Sequence, residues 1–144
     1  MIRSGLLTAV ALALAGCAGS LGIAPPVPPA GTQYDGTYAG QDSLVSGVAF
    51  QCGDAMLTEQ IEVKGGRLDY PFQVNPPRTA PLPVQVGIDG SLLGQMQYGT
   101  EEDLPFQSRY RTDWVTLRGR TDGTMLDATI SNLRCVRRLI AQRG

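Results

Sequence analysis

The chain of 144 residues contains no histidine, and Lys64 is the single lysine among its 12 basic residues. Histidine is the most common general base and metal ligand in proteins, so its absence excludes Ser-His-Asp and Cys-His catalysis. Lys64 precedes the Gly65-Gly66 turn, where water would keep its ammonium group charged and unreactive. We therefore predict no catalytic residue, no metal site and no cofactor.

Basic excess and helical patterning are also missing. The net charge is −1, which excludes an electrostatic nucleic-acid binder. Glu101–Asp103 is the one dense acidic run, and it lacks the alternate-residue spacing of a calcium loop, so a solvated loop is expected there. No long segment repeats apolar residues at the helical period. The only candidate helix is the last turn and a half, Val136–Gln142.

What is present begins at the N-terminus. Arg3 precedes the apolar run Leu6–Leu14, which is too short to cross a bilayer as a helix of about 20 residues. The run ends in Leu14-Ala15-Gly16-Cys17, which resembles the lipobox of bacterial lipoproteins. The resemblance implies cleavage before Cys17 and attachment of palmitate-bearing lipid to that residue. Since Ala18 and not Asp follows, it also implies an outer-membrane location facing the periplasm.

A plain secretory signal that happens to contain a cysteine is the alternative reading of this segment. After Cys17, the stretch up to Gln33 contains four closely spaced prolines, which favour an extended polyproline II spacer. A ligand for a proline-recognition groove is the rival interpretation. We thus expect a signal peptide over residues 1–16, a lipidated cysteine and linker over residues 17–33, and a β domain over residues 34–144.

Two cysteines remain in the domain, Cys52 and Cys135. Export would leave them in an oxidising compartment, so we predict that they form a disulfide. Two buried free thiols are the alternative. Removal of residues 1–16 would also leave 11 basic against 13 acidic side chains, a net charge of −2.

Turn signals dominate the rest of the chain. Gly65-Gly66, Asp89-Gly90 and Asp122-Gly123 each separate two segments with alternating apolar residues, which predicts three hairpins. The alternation changes phase before Val115, so a bulge or tight turn is expected at Thr112-Asp113. We predict an all-β fold, an antiparallel meander of seven to eight strands forming a small barrel or sandwich, stapled by the disulfide.

One cluster combines aromatic rings with guanidinium groups, which together favour binding surfaces. Trp114 would more commonly pack in a core, and strand alternation separates the two arginines of the cluster from the tyrosine between them. The basic C-terminal tail would either keep an edge strand soluble or meet anionic lipid or peptidoglycan carboxylates. The cluster consists of Tyr98, Arg109, Tyr110, Arg111 and Trp114, and the tail contains Arg134, Arg137, Arg138 and Arg143.

From Asp35 to Arg143, the glycine turns and paired cysteines resemble small exported β proteins of Gram-negative bacteria, which assigns no active residue. We therefore expect a noncatalytic envelope lipoprotein that is held on the membrane by its lipid and binds an envelope protein or the cell wall. One alternative is a small-molecule or lipid carrier, which needs a hollow barrel. Another is a protease inhibitor, which would present an exposed loop over residues 74–83.

Overall fold

The computed structural model describes residues 28–75, 78–104 and 107–144. The predicted signal peptide, Cys17 and the first part of the predicted linker lie outside the described residues.

The domain is an eight-stranded antiparallel barrel that is nearly closed, as the turn pattern predicts. The elements are β1 (Gly36–Ser46), α1 (Ala49–Cys52), β2 (Met56–Val63), β3 (Arg67–Asn75), β4 (Arg78–Val86), β5 (Ser91–Leu104), β6 (Gln107–Thr121), β7 (Met125–Ser131) and β8 (Val136–Arg143). Strands that are neighbours in sequence pair with one another, except β2 and β3. β1 also pairs with β8, which brings the two ends of the domain together.

The three predicted hairpin turns are confirmed as turns. Gly65, Gly90 and Gly123 have positive φ values of 60°, 78° and 91°, a conformation that glycine adopts without steric cost. Asp122 fixes its turn, because its Oδ1 accepts hydrogen bonds from the backbone N–H groups of Thr124 and Met125, both at 2.8 Å. The turn chemistry of the sequence therefore sets the strand order.

Side chains of alternate residues point into the barrel and form one core. On β8, Leu139 and Ala141 are buried whereas Arg138 and Ile140 are exposed, so the helix expected over residues 136–142 is wrong. The apolar side chains that are buried most completely fill the interior, and they are Tyr38, Ile61, Val63, Tyr70, Leu82, Val86, Val115, Leu117, Leu126, Ile130 and Leu139.

Two further expectations are corrected. β6 pairs with β5 in one continuous register from Gln107 to Arg120, so the bulge predicted at Thr112-Asp113 is absent. The strand itself keeps its regular alternation. The apolar residues of the sequence change phase because Asp113, a charged residue, occupies an inward position. The loop expected over residues 74–83 is also wrong, because its described residues belong to the β3–β4 hairpin.

The barrel has a seam between β2 and β3. These strands are joined by a tight turn, but the described residues pair them only at Lys64 and Arg67. They are consequently the two ends of the sheet. An open groove of about 840 Å³ runs over the outer surface beside the seam, and Glu62, Lys64 and Asp69 contribute to its walls.

The N-terminal residues cover one end of the barrel. Pro28 accepts a hydrogen bond from the N–H of Ile88 at 2.9 Å, and the N–H of Ala30 donates to Val86 at 2.9 Å. The last residues of the predicted linker are thus part of the folded unit. The hydroxyl of buried Tyr38 secures the same segment by donating to the carbonyl of Tyr34 at 2.9 Å. The opposite end of the barrel carries α1 and the β7–β8 turn.

Candidate functional site

The predicted disulfide joins α1 to the β7–β8 turn at the end of the barrel opposite Pro28. Cys52 and Cys135 are bonded at an S–S distance of 2.08 Å and are separated by 83 residues. Gly47 lies directly against the disulfide, since a β-carbon there would approach Cys52 Sγ to 2.5 Å. The disulfide and this close packing hold the two chain segments together as one rigid end.

Large apolar side chains surround this end and remain exposed. Val48 is 49 % exposed, Phe50 80 % and Leu133 70 %, and Trp114 is 53 % exposed on the neighbouring strand β6. The β6–β7 register ends where Thr116 pairs with Ser131, the last residue of β7, so Trp114 lies beyond this pair on the side of the barrel where the β7–β8 turn with Leu133 follows. We call Val48, Phe50, Trp114 and Leu133 the apolar rim.

The expectation that Trp114 packs in the core is wrong. Trp114 pairs with Gln97 of β5, and both residues face outward and are exposed. Their neighbours Asp113 and Val115 on β6 point inward and are 3 % and 0 % exposed. Since alternate residues of a strand face opposite sides, the buried Asp113 places Trp114 in solvent.

Tyr98 and Arg111, two other members of the predicted cluster, meet at Asp113 on the inward face. Tyr98 pairs with Asp113 in the β5–β6 register, and Arg111 Nε lies 3.3 Å from Asp113 Oδ1. The Tyr98 hydroxyl accepts a hydrogen bond from Asn132 Nδ2 at 2.8 Å, and its ring meets that of Phe72 edge-on at 5.0 Å. Burial, followed by the negative charge of Asp113, raises the pKa of Tyr98.

The predicted five-residue cluster is therefore split between two faces. Tyr98 lies inside the barrel with Arg111 at its mouth, whereas Trp114 lies outside. Arg109 and Tyr110 belong to β6, but their side chains lie outside the described residues. No single pocket brings the described members together, and Trp114 is the one that belongs to the apolar rim.

A second polar cluster inside the barrel was not predicted. Asp42 and Arg137 are 0 % and 4 % exposed, and Arg137 Nε donates to Asp42 Oδ1 at 2.9 Å. The Tyr70 hydroxyl donates to Asp42 Oδ2. Burial and the charge of Asp42 raise the pKa of Tyr70, and the same two effects raise that of nearby Glu59. The sequence signal for this cluster is the position of Arg137 two residues before the apolar Leu139, because residues two apart on a strand face the same side.

The hydrogen bonds of Arg137 connect this cluster to several parts of the fold. Arg137 Nη1 donates to the carbonyls of Cys52 and Asp54, each at 2.9 Å, and Nη2 donates to the carbonyl of Asp42. The guanidinium thus ties the residues around the disulfide to β1. A buried charge with this many partners is the arrangement expected of a structural ion pair.

The expectation that the basic tail keeps an edge strand soluble is wrong. β8 lies between β1 and β7, so its arginines do not protect an edge strand. Arg137 is buried, Arg138 forms an ion pair with Asp127 at 2.8 Å, and Arg143 Nη2 donates to the carbonyl of Asp35 at 2.5 Å. Arg138 faces outward on the barrel wall, and its side chain is about half exposed. Arg118 and Arg120 line the same depression of the wall.

Within residues 28–75, 78–104 and 107–144, no three potential ligand side chains are grouped closely enough to hold a metal ion. A search of the same residues finds no helix that is long and apolar enough to span a membrane. No family model, curated protein or solved structure matches the chain.

Proposed function

We propose that the chain is a noncatalytic lipoprotein of the bacterial envelope that is tethered through Cys17 and binds a protein partner with its apolar rim. The observation that carries this proposal is the exposure of four large apolar side chains around a rigid, disulfide-bonded end of the barrel. Contiguous exposed apolar surface is uncommon on monomeric proteins and is typical of interaction sites.

The position of the rim suits a tethered protein. Ten residues lie between Cys17 and Pro28, so eleven residue steps at 3.1 Å each span about 34 Å in a polyproline II chain. In our proposal, the Pro28 end of the barrel therefore stays close to the bilayer. The rim lies at the other end, where a partner in the periplasm has free access to it.

The rim also has the physical properties of an energetic anchor. Trp and Phe bury much area on binding, and aromatic residues are enriched among the side chains that dominate interfaces. The disulfide and the packing of Gly47 hold α1 and the β7–β8 turn in place, so little conformational entropy is lost when a partner docks. The inward side chains pack as one core in the barrel interior, which argues against a carrier function.

Photo-crosslinking in cells tests the partner surface. A photoreactive phenylalanine analogue at Phe50 or Leu133 should capture the same protein, whereas the analogue at Lys64, exposed at the opposite end, should not. Trp114→Ala should weaken capture from Leu133 by about tenfold, which corresponds to the loss of a single binding hot spot. Equal capture from all three positions, or none from the rim, would overturn the proposed surface.

Metabolic labelling with a clickable palmitate tests the tether separately. The full chain should incorporate the label and fractionate with outer membranes, and Cys17→Ser should abolish both results. An unlabelled wild-type chain with a mature N-terminus at another residue would contradict the lipoprotein assignment. This result would leave the crosslinking experiment interpretable, because capture at the rim does not require the lipid.

A further inference from the structure

We infer that the outer wall of the barrel carries a binding groove for a linear acidic polysaccharide. The groove is formed by β6, β7, β8 and β1, and its cationic wall consists of Arg118, Arg120 and Arg138. We call this feature the arginine trough. Its residues differ from those of the apolar rim, and the inference does not depend on the function proposed above.

The strand register aligns the polar side chains of the trough in rows. Arg138 of β8 pairs with Thr129 of β7, which pairs with Arg118 of β6, so two guanidinium groups flank a hydroxyl. On the β1 side, Arg138 pairs with Ser43, which extends the row by a second hydroxyl. Adjacent strands are about 4.8 Å apart, so Arg118 and Arg138 are separated by about 10 Å, close to the length of a disaccharide.

The next row adds one cation and one carboxylate to the trough. Arg120 of β6 pairs with Asp127 of β7, and Asp127 pairs with Ile140 of β8. Asp127 also accepts hydrogen bonds from Arg138, through Nε at 3.1 Å and Nη2 at 2.8 Å. This bidentate contact fixes the orientation of the Arg138 guanidinium. One face of a guanidinium held in this way remains able to meet a ligand, since the Arg138 side chain is 54 % exposed.

The wall is concave as well as basic. Two open depressions of about 450 and 470 Å³ share Val45 and Arg138 in their walls, so they lie side by side on the outer surface. Close approach of the strands accompanies this shape, because a β-carbon at Gly40 or Gly119 would lie 2.0 or 2.2 Å from a backbone oxygen of the neighbouring strand. Adjoining depressions along the wall suit an extended chain that contacts both.

The charge of the trough is opposite to that of the whole chain. Three arginines and one aspartate line it, whereas the chain has a net charge of −1. A local positive field on an acidic protein selects an anionic ligand. The described lining contains no aromatic residue, so the stacking platform on which single-stranded nucleic acids depend is missing there.

The neutral lining favours a sugar polymer among anionic chains. Gln41, Ser43 and Gln142 present amide and hydroxyl groups beside Arg138, and Thr129 adds another hydroxyl. Such groups both donate and accept hydrogen bonds, as the hydroxyls of a saccharide require, while the guanidinium groups pair with its carboxylates. Uronate polymers combine these two chemistries, and they are the ligand class that we assign to the trough.

Binding of the full chain, purified in a mild detergent, to oligogalacturonate tests the assignment directly. Affinity should fall as salt is added, and neutral dextran should not bind. The Arg118→Gln and Arg120→Gln variants should each bind roughly threefold to tenfold more weakly, and the triple variant with Arg138→Gln should lose measurable binding. The matched control is Arg67→Gln combined with Arg78→Gln, which removes two exposed arginines outside the trough and should leave affinity unchanged.

Three results would overturn the inference. The first is unchanged affinity in the triple variant, and the second is an equal loss in the Arg67→Gln, Arg78→Gln control, which would indicate a diffuse charge effect. The third is preferential binding of single-stranded DNA or polyphosphate, with the same dependence on the three arginines, because it would reassign the trough to another polyanion. Circular dichroism of each variant verifies that it is folded. Crosslinking at the apolar rim should be unaffected by all of these substitutions.

Discussion

Arg137 and Asp42 form an ion pair in the barrel interior, with Arg137 Nε 2.9 Å from Asp42 Oδ1 and both side chains almost fully buried. The two residues are 95 positions apart in the chain, so the pair joins the first strand of the domain to the last. Each remaining donor of the guanidinium that the structure pairs reaches a backbone carbonyl. Like the nearby disulfide, the ion pair thus joins an early segment of the domain to a late one.

We expect a strongly non-additive response when this pair is removed. Arg137→Met alone should lower the free energy of unfolding by about 3–5 kcal/mol, because it leaves the Asp42 carboxylate buried without its cation. Adding Asp42→Leu should restore part of the loss, since the uncompensated charge disappears. Urea denaturation of the two single variants and the double variant measures the coupling, and strictly additive losses would contradict the proposed pairing.

Removal of the disulfide should lower the free energy of unfolding by nearly as much as removal of Arg137. Cys52 and Cys135 close a loop with a sequence separation of 83 residues, for which the chain-entropy model gives a stabilisation of about 4–5 kcal/mol. The Cys52→Ser, Cys135→Ser double variant should therefore unfold at a clearly lower urea concentration than the wild type. Reductant should lower the wild-type midpoint to that of the variant and leave the variant unchanged. Equal midpoints without reductant would show that the bond contributes nothing.

Acid should weaken the β6–β7 turn. Hydrogen bonds from the backbone and hydroxyl groups of Met125 and Thr124 lower the pKa of Asp122 to about 2, from 3.8 in an unstructured chain. A depressed carboxyl pKa stabilises the fold above pH 3.8, and this contribution disappears as the pH falls through about 2. The wild type should therefore melt higher than Asp122→Asn at neutral pH, and the two should converge near pH 2.

The control for this turn is Asp69→Asn, which changes an exposed carboxylate on β3. Its melting temperature should follow that of the wild type across the same pH range. A constant difference between wild type and Asp122→Asn down to the lowest pH would indicate that the side chain acts through shape and not through its charge.

Gly119 lies where β6 and β7 approach closely, so a larger residue there should destabilise the fold. A β-carbon at Gly119 would lie 2.2 Å from the carbonyl oxygen of Asp127 and 2.6 Å from Ala128 Cα, so Gly119→Ala must force β6 and β7 apart. We expect a loss of about 1–3 kcal/mol, the usual range for overpacking. Thr116→Ala on the same strand serves as the control and should cost less. Denaturation curves that place both variants together would contradict the steric argument.

The sequence predicted most of the fold because its turns are chemically explicit. Asp89-Gly90 and Asp122-Gly123 mark hairpin turns, and alternation between the turns identifies the inward residues of the strands. Gly65-Gly66 marks a tight turn, but the hairpin predicted there is wrong, because the described residues of β2 and β3 pair only at Lys64 and Arg67. The disulfide followed from there being two cysteines left in the domain. Neither signal depends on contacts between distant parts of the chain, and this explains why they can be recognised without a structure.

The misplaced residues share a different cause. Trp114 and Arg137 were misread because their chemical type suggested the opposite environment from the one that strand alternation imposes, and the burial of Asp113 and Asp42 was not predicted. Residue type outweighed strand alternation in these predictions, because buried charges are rare and tryptophan is usually buried. The partners that make the exceptions possible, such as the carbonyls of Cys52 and Asp54 around Arg137, come together only when the barrel closes.

The single bridge between Lys64 and Arg67 has a consequence for how the domain moves. Every other neighbouring pair of strands is held by a ladder of at least three residue pairs, whereas this line of the wall is held by side chains and one turn. Thermal fluctuations should therefore separate β2 from β3 before they separate any other neighbouring strands. Amide protons that face the gap from Met56–Val63 and Arg67–Asn75 would then exchange with solvent sooner than those of the central strands, without any loss of the core.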